Sequence, residues 1–467
     1  MTARTTASAP ARGEAAPRSL KPMAGVLAAM AISLTGTRVS AIALPWFVLA
    51  TTGSATMTGV VAFVELAPYV LVKALVGPVI DRLGPRVVSW TTDAVSAVAA
   101  GLVPLLHGLG LLPFWLLLVM VAVIGGARGP GDLAKEVMVP EAAERARFPL
   151  ERATGLAGVT ERLASTIGPA VGGGLVALLG PMAGLTVNAV AFALGSLVIA
   201  VALPRGTGHA AAPAVPDAEE EPPGGYWQLF REGFAFLRRE PLLLTIIVMI
   251  AVTNLLDAAF LTVLVPVWAR ESGGGPAAIG LTGTVWGVAA VAGSLIAAAV
   301  AHRLPRRTVF FIGFLLAGAP RFVVLALDVP MGVVLAVFVV GGFGCGFINP
   351  ILGAVLFERV PRQLLGRVNA LGDSLAWAGI PLGGLLAGAT VAVSGLIPVL
   401  LVCGGLYFLA TTLPGLRPEW REMDRKRGRA PEAAAAASGE PEEKVPAPPV
   451  LPTSAASARA AAVAPTE

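Results

Sequence analysis

Two short stretches of the sequence, GPAVGGG at residues 168–174 and IPLGGLL at residues 380–386, each place a proline shortly before a pair of glycines. The two prolines, Pro169 and Pro381, lie 212 residues apart in a chain of 467 residues. Each stretch belongs to a long apolar segment that follows a basic loop. An internal repeat of about half the chain, in an apolar sequence, is typical of membrane proteins built from two similar halves with a site between them.

The composition excludes an ordinary soluble protein. Hydrophobic residues make up 55% of the chain and charged residues 13%, whereas about 25% of residues are charged in a soluble domain. Because so few charges cannot cover a soluble protein of this length, lipid must cover most of the surface. The sequence therefore predicts an all-α integral membrane protein with twelve transmembrane helices in two pseudo-symmetric six-helix bundles. The twelve apolar segments, each near the ~20 residues that cross a bilayer, are 23–50, 57–80, 87–107, 111–127, 155–179, 182–203, 241–269, 276–301, 308–327, 331–357, 368–394 and 396–416.

The net charge of +5 follows from the loops on one side of the predicted bundle. With twelve spans both termini lie on the same side, and 29 of the 34 lysines and arginines fall there, whereas only Arg270 falls on the opposite side. Because cytoplasmic loops carry the excess of lysine and arginine, both termini are predicted to be cytoplasmic. The basic charge sets the topology of a multi-pass protein of the cell membrane, and it requires no nucleic-acid partner. The remaining four basic residues lie within spans: Arg38, Lys73, Arg162 and Arg321.

The predicted organisation has five parts. The linker between the bundles contains YWQLFREGFAFLRRE at residues 226–240, where apolar residues at a spacing of three to four indicate a helix on the inner membrane face. The parts are a disordered cytoplasmic N-tail at 1–22, a six-helix bundle at 23–203, the cytoplasmic linker with its amphipathic helix at 204–240, a second six-helix bundle at 241–416 and a disordered cytoplasmic C-tail at 417–467.

The loop between the second and third spans reads GPVIDRLGPR at residues 77–86. Glycine permits a tight turn, Asp81 can cap a neighbouring helix N-terminus, and the arginines can pair with carboxylates. The stretch resembles the inter-helix signature of the major facilitator superfamily, Gly-x-x-x-Asp-Arg-x-Gly-Arg-Arg, with Pro85 where the family usually has Arg. In that family the signature latches the outward-open state. The resemblance thus implies a cytoplasmic gate formed by Gly77, Asp81, Arg82, Gly84 and Arg86.

The fifth span, GLAGVTERLASTIGPAVGG at residues 155–173, resembles the antiporter signature of the same family. The family pattern is Gly-x8-Gly-x3-Gly-Pro-x2-Gly-Gly, and Ala164 replaces one glycine. In the family this motif favours exporters that exchange substrate for protons; the alternative is ordinary helix packing through small residues. ALPWFVLATTGSATMTG at residues 43–59 resembles the first outer loop of drug, macrolide and siderophore exporters. The matching antiporter residues are Gly155, Gly168, Pro169, Gly172 and Gly173.

One feature departs from the family. Many of its proton-coupled exporters carry an arginine in the middle of span four. Here the predicted span four, residues 111–127, has no basic residue before Arg128 at its inner end. Proton coupling through that arginine is therefore in doubt.

Ionisable residues within spans cost about 2.5–3.5 kcal/mol each on insertion scales and are functional candidates. Arg38 and Asp257 occupy the equivalent first spans of the two halves and are expected to face each other across the cavity. Glu161 and Asp373 lie 212 residues apart, like the two prolines. The candidates for transport and proton coupling are Glu65, Asp257, Arg38, Glu161 and Asp373.

The alternative is that these charges form structural ion pairs. Glu65 would then pair with Lys73, and Glu161 with Arg162 or Arg38. Two further charges have other expected positions: Asp93 as a partner of the cytoplasmic gate, and Arg321 at the outer end of span nine, with its charge extended to the interface.

These patterns predict a secondary transporter that exports hydrophobic or amphiphilic, drug-like small molecules by alternating access, in exchange for protons. Glu65 and Asp257 would carry the proton, and Arg38 would be a counter-ion or contact an anionic substrate. Sodium coupling stays open. An importer of a small metabolite with the same fold is the first alternative, and a membrane-embedded transferase is a remote one, since no clustered catalytic set is present.

The expected partners are the lipid bilayer, protons and a small-molecule substrate, and the chain is expected to be a monomer. We expect no enzyme activity, no cofactor and no bound metal, because the two cysteines and three histidines show no metal-ligand spacing.

Overall fold

In the part of the chain that the structure, a computed structural model, describes, twelve helices are long and apolar enough to cross a membrane, as predicted. The first six form one bundle and the last six the other. The predicted tails at 1–22 and 417–467 and the linker at 204–240 lie mostly outside the described residues, so these boundaries stay predictions. The structure describes residues 19–204, 234–300, 303–360, 364–417 and 420.

We number the membrane helices in chain order as span 1 to span 12. A short helix, Gly77–Leu83, lies between spans 2 and 3. Spans 1 to 6 are Lys21–Thr52, Ala55–Leu75, Pro85–Gly108, Phe114–Ala146, Leu150–Leu179 and Pro181–Ala202. Span 7 is Pro241–Glu271 and contains the π-helical turn Phe260–Leu264. Spans 8 to 12 are Gly275–Val300; Arg306–Ala317 with Ala319–Ala326; Met331–Arg359; Leu365–Ala378 with Ile380–Ser394; and Leu396–Gly415.

The two halves repeat the same turn before their last span. Gly180 separates spans 5 and 6 and has a φ of 82°, and Gly395 separates spans 11 and 12 with a φ of 78°. Residues with a Cβ rarely adopt this left-handed region, so glycine is required at both turns. The pseudo-symmetry of the halves thus extends to backbone conformation.

Span 4 is longer than predicted. The helix continues through Pro130 and Pro140 to Ala146, whereas the apolar pattern ends at residue 127. Arg128 and Lys135 therefore lie inside a membrane helix, and the prediction that they belong to a basic loop is wrong. The hydropathy pattern fails here because these two charges have carboxylate partners on neighbouring helices, Glu65 and Asp93.

The repeated glycine pairs hold the halves together. In each pair the first glycine packs against its own half: Gly172 against Val39 of span 1, and Gly383 against Ala258 of span 7. The second glycine packs against the other half. A Cβ on Gly173 would lie 2.5 Å from the Cα of Gly280 in span 8. A Cβ on Gly384 would lie 3.0 Å from the Cβ of Ala62 in span 2. Such close helix approach requires residues without a side chain.

Two hydrogen bonds join the halves at the same end of the bundle. Thr56 donates from Oγ1 to the carbonyl oxygen of Gly388 at 3.2 Å. Arg270 donates from Nη1 to the carbonyl oxygen of Leu49 at 3.0 Å, close to the C-terminus of span 1. The halves are therefore closed at the end formed by the loops after spans 1 and 7.

This packing predicts different outcomes for two neighbouring glycines of span 5. Gly173→Val would force a side chain into Gly280, whereas a Cβ on Gly174 meets no atom within 4 Å. We expect Gly173→Val to separate spans 5 and 8 and Gly174→Val to leave them in place. Electron paramagnetic resonance distances between spin labels at the exposed Leu179 and Leu281 would measure this; equal distance distributions in the two variants would contradict the assignment.

Candidate functional site

A cavity of about 550 Å³ lies at the opposite end of the bundle from the glycine contacts. Spans 1, 2, 4 and 5 form most of its wall, and the second half contributes Trp377 and Ile380 of span 11. The lining residues of span 1 run from Met30 to Arg38 and those of span 5 from Thr154 to Glu161, which are the parts of both helices nearest the basic loops. Its charged and phenolic lining residues are Arg38, Tyr69, Lys73, Arg128, Asp132, Lys135, Glu136 and Glu161.

An ion pair between spans 2 and 4 stands at the wall of this cavity. Arg128 donates from Nη1 to Oε1 of Glu65 at 2.9 Å, and the guanidinium lies 4.4 Å from the ring centroid of Tyr69. Glycine at residues 125 and 129 lets the backbone of span 4 contact that of span 2. Arg128 lies near the middle of the helix Phe114–Ala146, whereas the predicted span placed it at the inner end.

Lys73 connects the two halves across the cavity. Its Nζ lies 3.3 Å from Oε1 of Glu136 and 5.4 Å from the ring centroid of Trp377. The second distance is within the range of a cation–π interaction. The alternative prediction that Glu65 pairs with Lys73 is wrong, because Glu65 forms its ion pair with Arg128 and Lys73 forms one with Glu136.

A buried ion pair joins spans 3 and 4 at the cavity wall. Nζ of Lys135 lies 2.8 Å from Oδ2 and 2.9 Å from Oδ1 of Asp93, and the Ser33 hydroxyl also donates to Oδ2, at 3.4 Å. The two charged side chains are 3% and 1% exposed. Asp93 is thus not a partner of the predicted gate but half of an internal pair.

Two predicted charges face the cavity without an ion pair. Arg38 packs against Gly168, and its buried Nε has no hydrogen-bond partner in the described part of the chain. Glu161 is exposed on the cavity wall, and no cation lies within 4.0 Å of it among the described residues. Its predicted pairing with Arg38 or Arg162 is therefore not formed. Asp373 is also exposed, on span 11, but it does not line the cavity.

Asp257 and Arg321 form a second charged site, in the other half. Arg321 donates to Asp257, and the pair lines a cavity of about 160 Å³ together with Asn254 and Cys345. Four aromatic rings surround the guanidinium carbon, with centroids at 4.7, 5.1, 5.2 and 5.4 Å; they belong to Phe260, Trp286, Phe322 and Tyr407.

This second site corrects two predictions. Arg321 is 5% exposed and does not extend to the interface. Arg38 and Asp257 do not face each other, because each lines a separate cavity. The aromatic rings come from spans 7, 8, 9 and 12, a combination that only the tertiary structure brings together.

In the predicted gate segment, Arg86 binds backbone carbonyl oxygens and not the carboxylate that was expected. Arg86 donates from Nε and Nη2 to the carbonyl oxygens of Leu203 and Ala200, at 2.9 and 2.6 Å. It therefore neutralises the C-terminal end of span 6 rather than a carboxylate. Gly84 has a φ of 82°, which explains glycine there. Asp81 and Arg82 are exposed, and Gly77 has open space around its Cα.

Four of the five residues of the predicted antiporter motif lie at helix contacts. Gly168 contacts Arg38, Gly172 contacts span 1, and Gly173 and Pro169 contact Gly280 of span 8. Gly155 is exposed, with open space around it.

Sequence reasoning missed three cavity residues on span 4: Asp132, Lys135 and Glu136. The signal was present, because Arg128, Asp132 and Glu136 recur every four residues and so share one helix face.

Comparison with known proteins decides the family. The sequence profile of the Major Facilitator Superfamily matches residues 26–268 and 248–461. The chain belongs to the major facilitator superfamily. It is therefore a membrane transporter rather than an enzyme.

Its relatives include two proteins named multidrug efflux pump Tap. The one from Mycobacterium tuberculosis is 32% identical over 407 residues, which is 84% of this chain and 93% of that protein. The one from Mycolicibacterium fortuitum is 30% identical over 410 residues, covering 86% and 97%.

Solved structures share the fold. The nucleoside transporter NupG superposes with a TM-score of 0.65 at 16% identity, covering 87% of this chain and 99% of that one. A bacterial homologue of the human lysosomal transporter Spinster, inward-facing and unoccupied, has a TM-score of 0.65 at 14% identity, covering 88% and 99%.

The buried pair predicts a stability difference between two lysines. Lys135→Met leaves the Asp93 carboxylate buried without a cation, which costs about 3–5 kcal/mol. Lys73→Met leaves Glu136, whose side chain is 54% exposed, and costs about 0–1 kcal/mol. Thermal unfolding in detergent would show a large fall in Tm only for Lys135→Met, partly restored by adding Asp93→Asn. Equal shifts for both lysine variants would argue against a special role for the buried pair.

Proposed function

We propose that this transporter exports hydrophobic or amphiphilic, drug-like molecules across the cell membrane by alternating access, in exchange for protons. The observation that carries the proposal is the cavity of about 550 Å³ with the Glu65–Arg128 pair at its wall. A cavity of 300–1,000 Å³ suits a drug-sized ligand. The relatives named multidrug efflux pump support the substrate class and the direction.

The charge distribution supports an orientation. The cavity faces the end of the bundle that carries the basic loops, and Arg270 stands at the closed end. Arg128 and Lys135 lie in a helix and no longer count as loop residues. The remaining lysines and arginines still fall almost entirely on the side of the two termini. By the positive-inside rule both termini are cytoplasmic and the cavity opens to the cytoplasm.

In the proposed exchange, the proton binds to Glu65, the ion-pair partner of Arg128. A proton on Glu65 removes the charge that holds Arg128. Nε of Arg128 already lies 4.0 Å from Oδ2 of Asp132, so the arginine keeps a carboxylate partner when it leaves Glu65. Because a buried cation without a partner is costly, this second carboxylate lowers the cost of the protonated state.

The state seen here suits a transporter that has released its proton. Glu65 is paired with Arg128 as an ionised carboxylate would be, and the adjoining cavity is open. In the proposed cycle, a proton reaches Glu65 from the outside and leaves it when the cavity opens to the cytoplasm. Asp257 is the proposed second proton carrier, since a proton there would release Arg321.

Substrate recognition is assigned to the charges that have no ion pair. Arg38 and Glu161 line the cavity, and each would contact a group of opposite charge on the substrate. We propose that the protein works as a monomer, because one chain contains the complete cavity.

Neutralising the proposed proton carriers should abolish the coupling of transport to protons without abolishing substrate binding. Glu65→Gln and Asp257→Asn should abolish pH-driven uptake of a dye such as ethidium into inverted membrane vesicles while exchange of labelled for unlabelled dye continues. Asp328→Asn, at an exposed loop carboxylate, is the matched control. Wild-type pH-driven uptake in both variants would overturn the proton assignment, and uptake in right-side-out vesicles only would indicate import.

Arg38→Gln and Glu161→Gln should alter recognition instead. A charge-assisted hydrogen bond contributes about 1.5–3 kcal/mol, so the KM for substrates of the complementary charge should rise about 10- to 100-fold. Neutral substrates should be unaffected. Arg162→Gln, at the exposed neighbour of Glu161, is the control, measured in the same vesicles with cationic, anionic and neutral dyes. A uniform loss across all dyes would contradict direct substrate contact.

A further inference from the structure

A second large concavity lies on the periphery of the second bundle, away from the space between the two halves. It is a groove of about 560 Å³ between spans 7 and 12, separate from both charged cavities. Its wall is apolar apart from Thr245 and Arg417. From span 7 the wall includes Leu244, Val248, Val252 and Leu256, and from span 12 Leu406, Leu409 and Leu413.

The groove has the length of one membrane leaflet. Its lining runs from Leu244 to Leu256 on span 7, which is about 18 Å at 1.5 Å per residue. On span 12 it runs from Leu406 to Arg417, about 16 Å. Half of a ~30 Å hydrocarbon core is about 15 Å. The groove is therefore about as long as one leaflet of the hydrocarbon core is thick.

One arginine, Arg417, lines the end of the groove nearest the basic loops, and two more lie close to span 7 in the sequence. Arg417 lies two residues beyond the last residue of span 12, and Arg238 and Arg239 lie just before span 7 begins at Pro241. All three side chains are exposed, and none forms an ion pair with a residue that the structure describes. The loop-side ends of spans 7 and 12 therefore carry exposed positive charge.

The turn that carries Arg417 is anchored from the other side. Arg307 donates from Nη2 to the carbonyl oxygen of Gly415 at 2.8 Å, so the end of span 12 is already capped by a cation. Trp420 is 2% exposed, and its ring centroid lies 5.7 Å from that of Phe310. Arg417 is thus held at the mouth of the groove without being needed for the helix end.

We propose that this groove binds one anionic phospholipid from the leaflet on the side of the basic loops. An acyl chain lies between spans 7 and 12, and the phosphate group lies beside Arg417. The apolar wall matches a chain, the length matches a leaflet, and the cationic end matches an anionic headgroup. A drug substrate would leave the arginine end unexplained.

The proposed lipid is next to the second charged site. Leu256 and Leu406, at the deep end of the groove, adjoin Asp257 and Tyr407, which face the Arg321 cavity. The acyl chain would therefore lie on the outer side of the helix wall that encloses the Asp257–Arg321 pair.

Native mass spectrometry of the full-length protein tests the headgroup. The purified protein is mixed with equal amounts of phosphatidylglycerol and phosphatidylcholine with identical chains. Wild type should retain one phosphatidylglycerol preferentially. Arg417→Gln should reduce that preference about fivefold, the equivalent of about 1 kcal/mol for one basic residue at an anionic surface. Arg152→Gln, an exposed arginine at the same end of the other half, should leave it unchanged.

A second pair of variants tests the groove itself. Leu409→Trp should fill it and remove the retained lipid, whereas Leu401→Trp should not, although the two leucines of span 12 are 47% and 49% exposed. The proposal is overturned by any of three results: no headgroup preference in wild type, equal preference in Arg417→Gln and Arg152→Gln, or equal retention in the two tryptophan variants. A Leu409→Trp variant that keeps its lipid but has an altered KM for dye would make the groove a substrate path instead.

Discussion

Close contact between glycines is the constraint on which the rest of the structure depends. In each half, one glycine of a pair holds its own first span and the next glycine holds the other half. Gly173 against Gly280, and Gly384 near Gly59, bring helix backbones closer than any side chain would allow. Because these contacts lie at one end of the bundle, the space between the helices opens at the other end, and that is where the charged cavity forms.

The charges on the membrane helices form ion pairs, and a second carboxylate lies close to a paired cation. Asp93 and Lys135 are buried and satisfied, so their cost in lipid is offset by each other and by the Ser33 hydroxyl. Arg128 has Glu65 at 2.9 Å and Asp132 at 4.0 Å, which gives one cation two carboxylates. Lys135 likewise has Asp93 at 2.8 Å and Asp132 at 4.0 Å, so Asp132 lies within 4.0 Å of both cations. The two pairs differ in burial, because the side chains of Asp93 and Lys135 are 1% and 3% exposed and those of Glu65 and Arg128 are 18% and 11% exposed.

Each half has a largely buried arginine that pairs with a carboxylate and lies beside aromatic rings. Arg128 lies over Tyr69, and Arg321 lies among four rings. Both pair with a carboxylate on another helix, Glu65 and Asp257 respectively. The two sites are nonetheless unequal, because the first adjoins a cavity of about 550 Å³ and the second lines one of about 160 Å³. The pseudo-symmetry of the backbone is therefore not carried into the sites.

The sequence by itself determined the twelve spans, the two halves and the glycine positions, because hydropathy and backbone conformation are properties of local residues. It also predicted membrane positions for the five candidate charges Glu65, Asp257, Arg38, Glu161 and Asp373. Only the tertiary structure decided their partners. A hydropathy pattern treats Arg128 as the end of a span, and it cannot show that Glu65 lies opposite on a neighbouring helix or that four rings from distant spans enclose Arg321. Ion pairs between helices depend on which faces meet, and that is set by packing of the whole bundle.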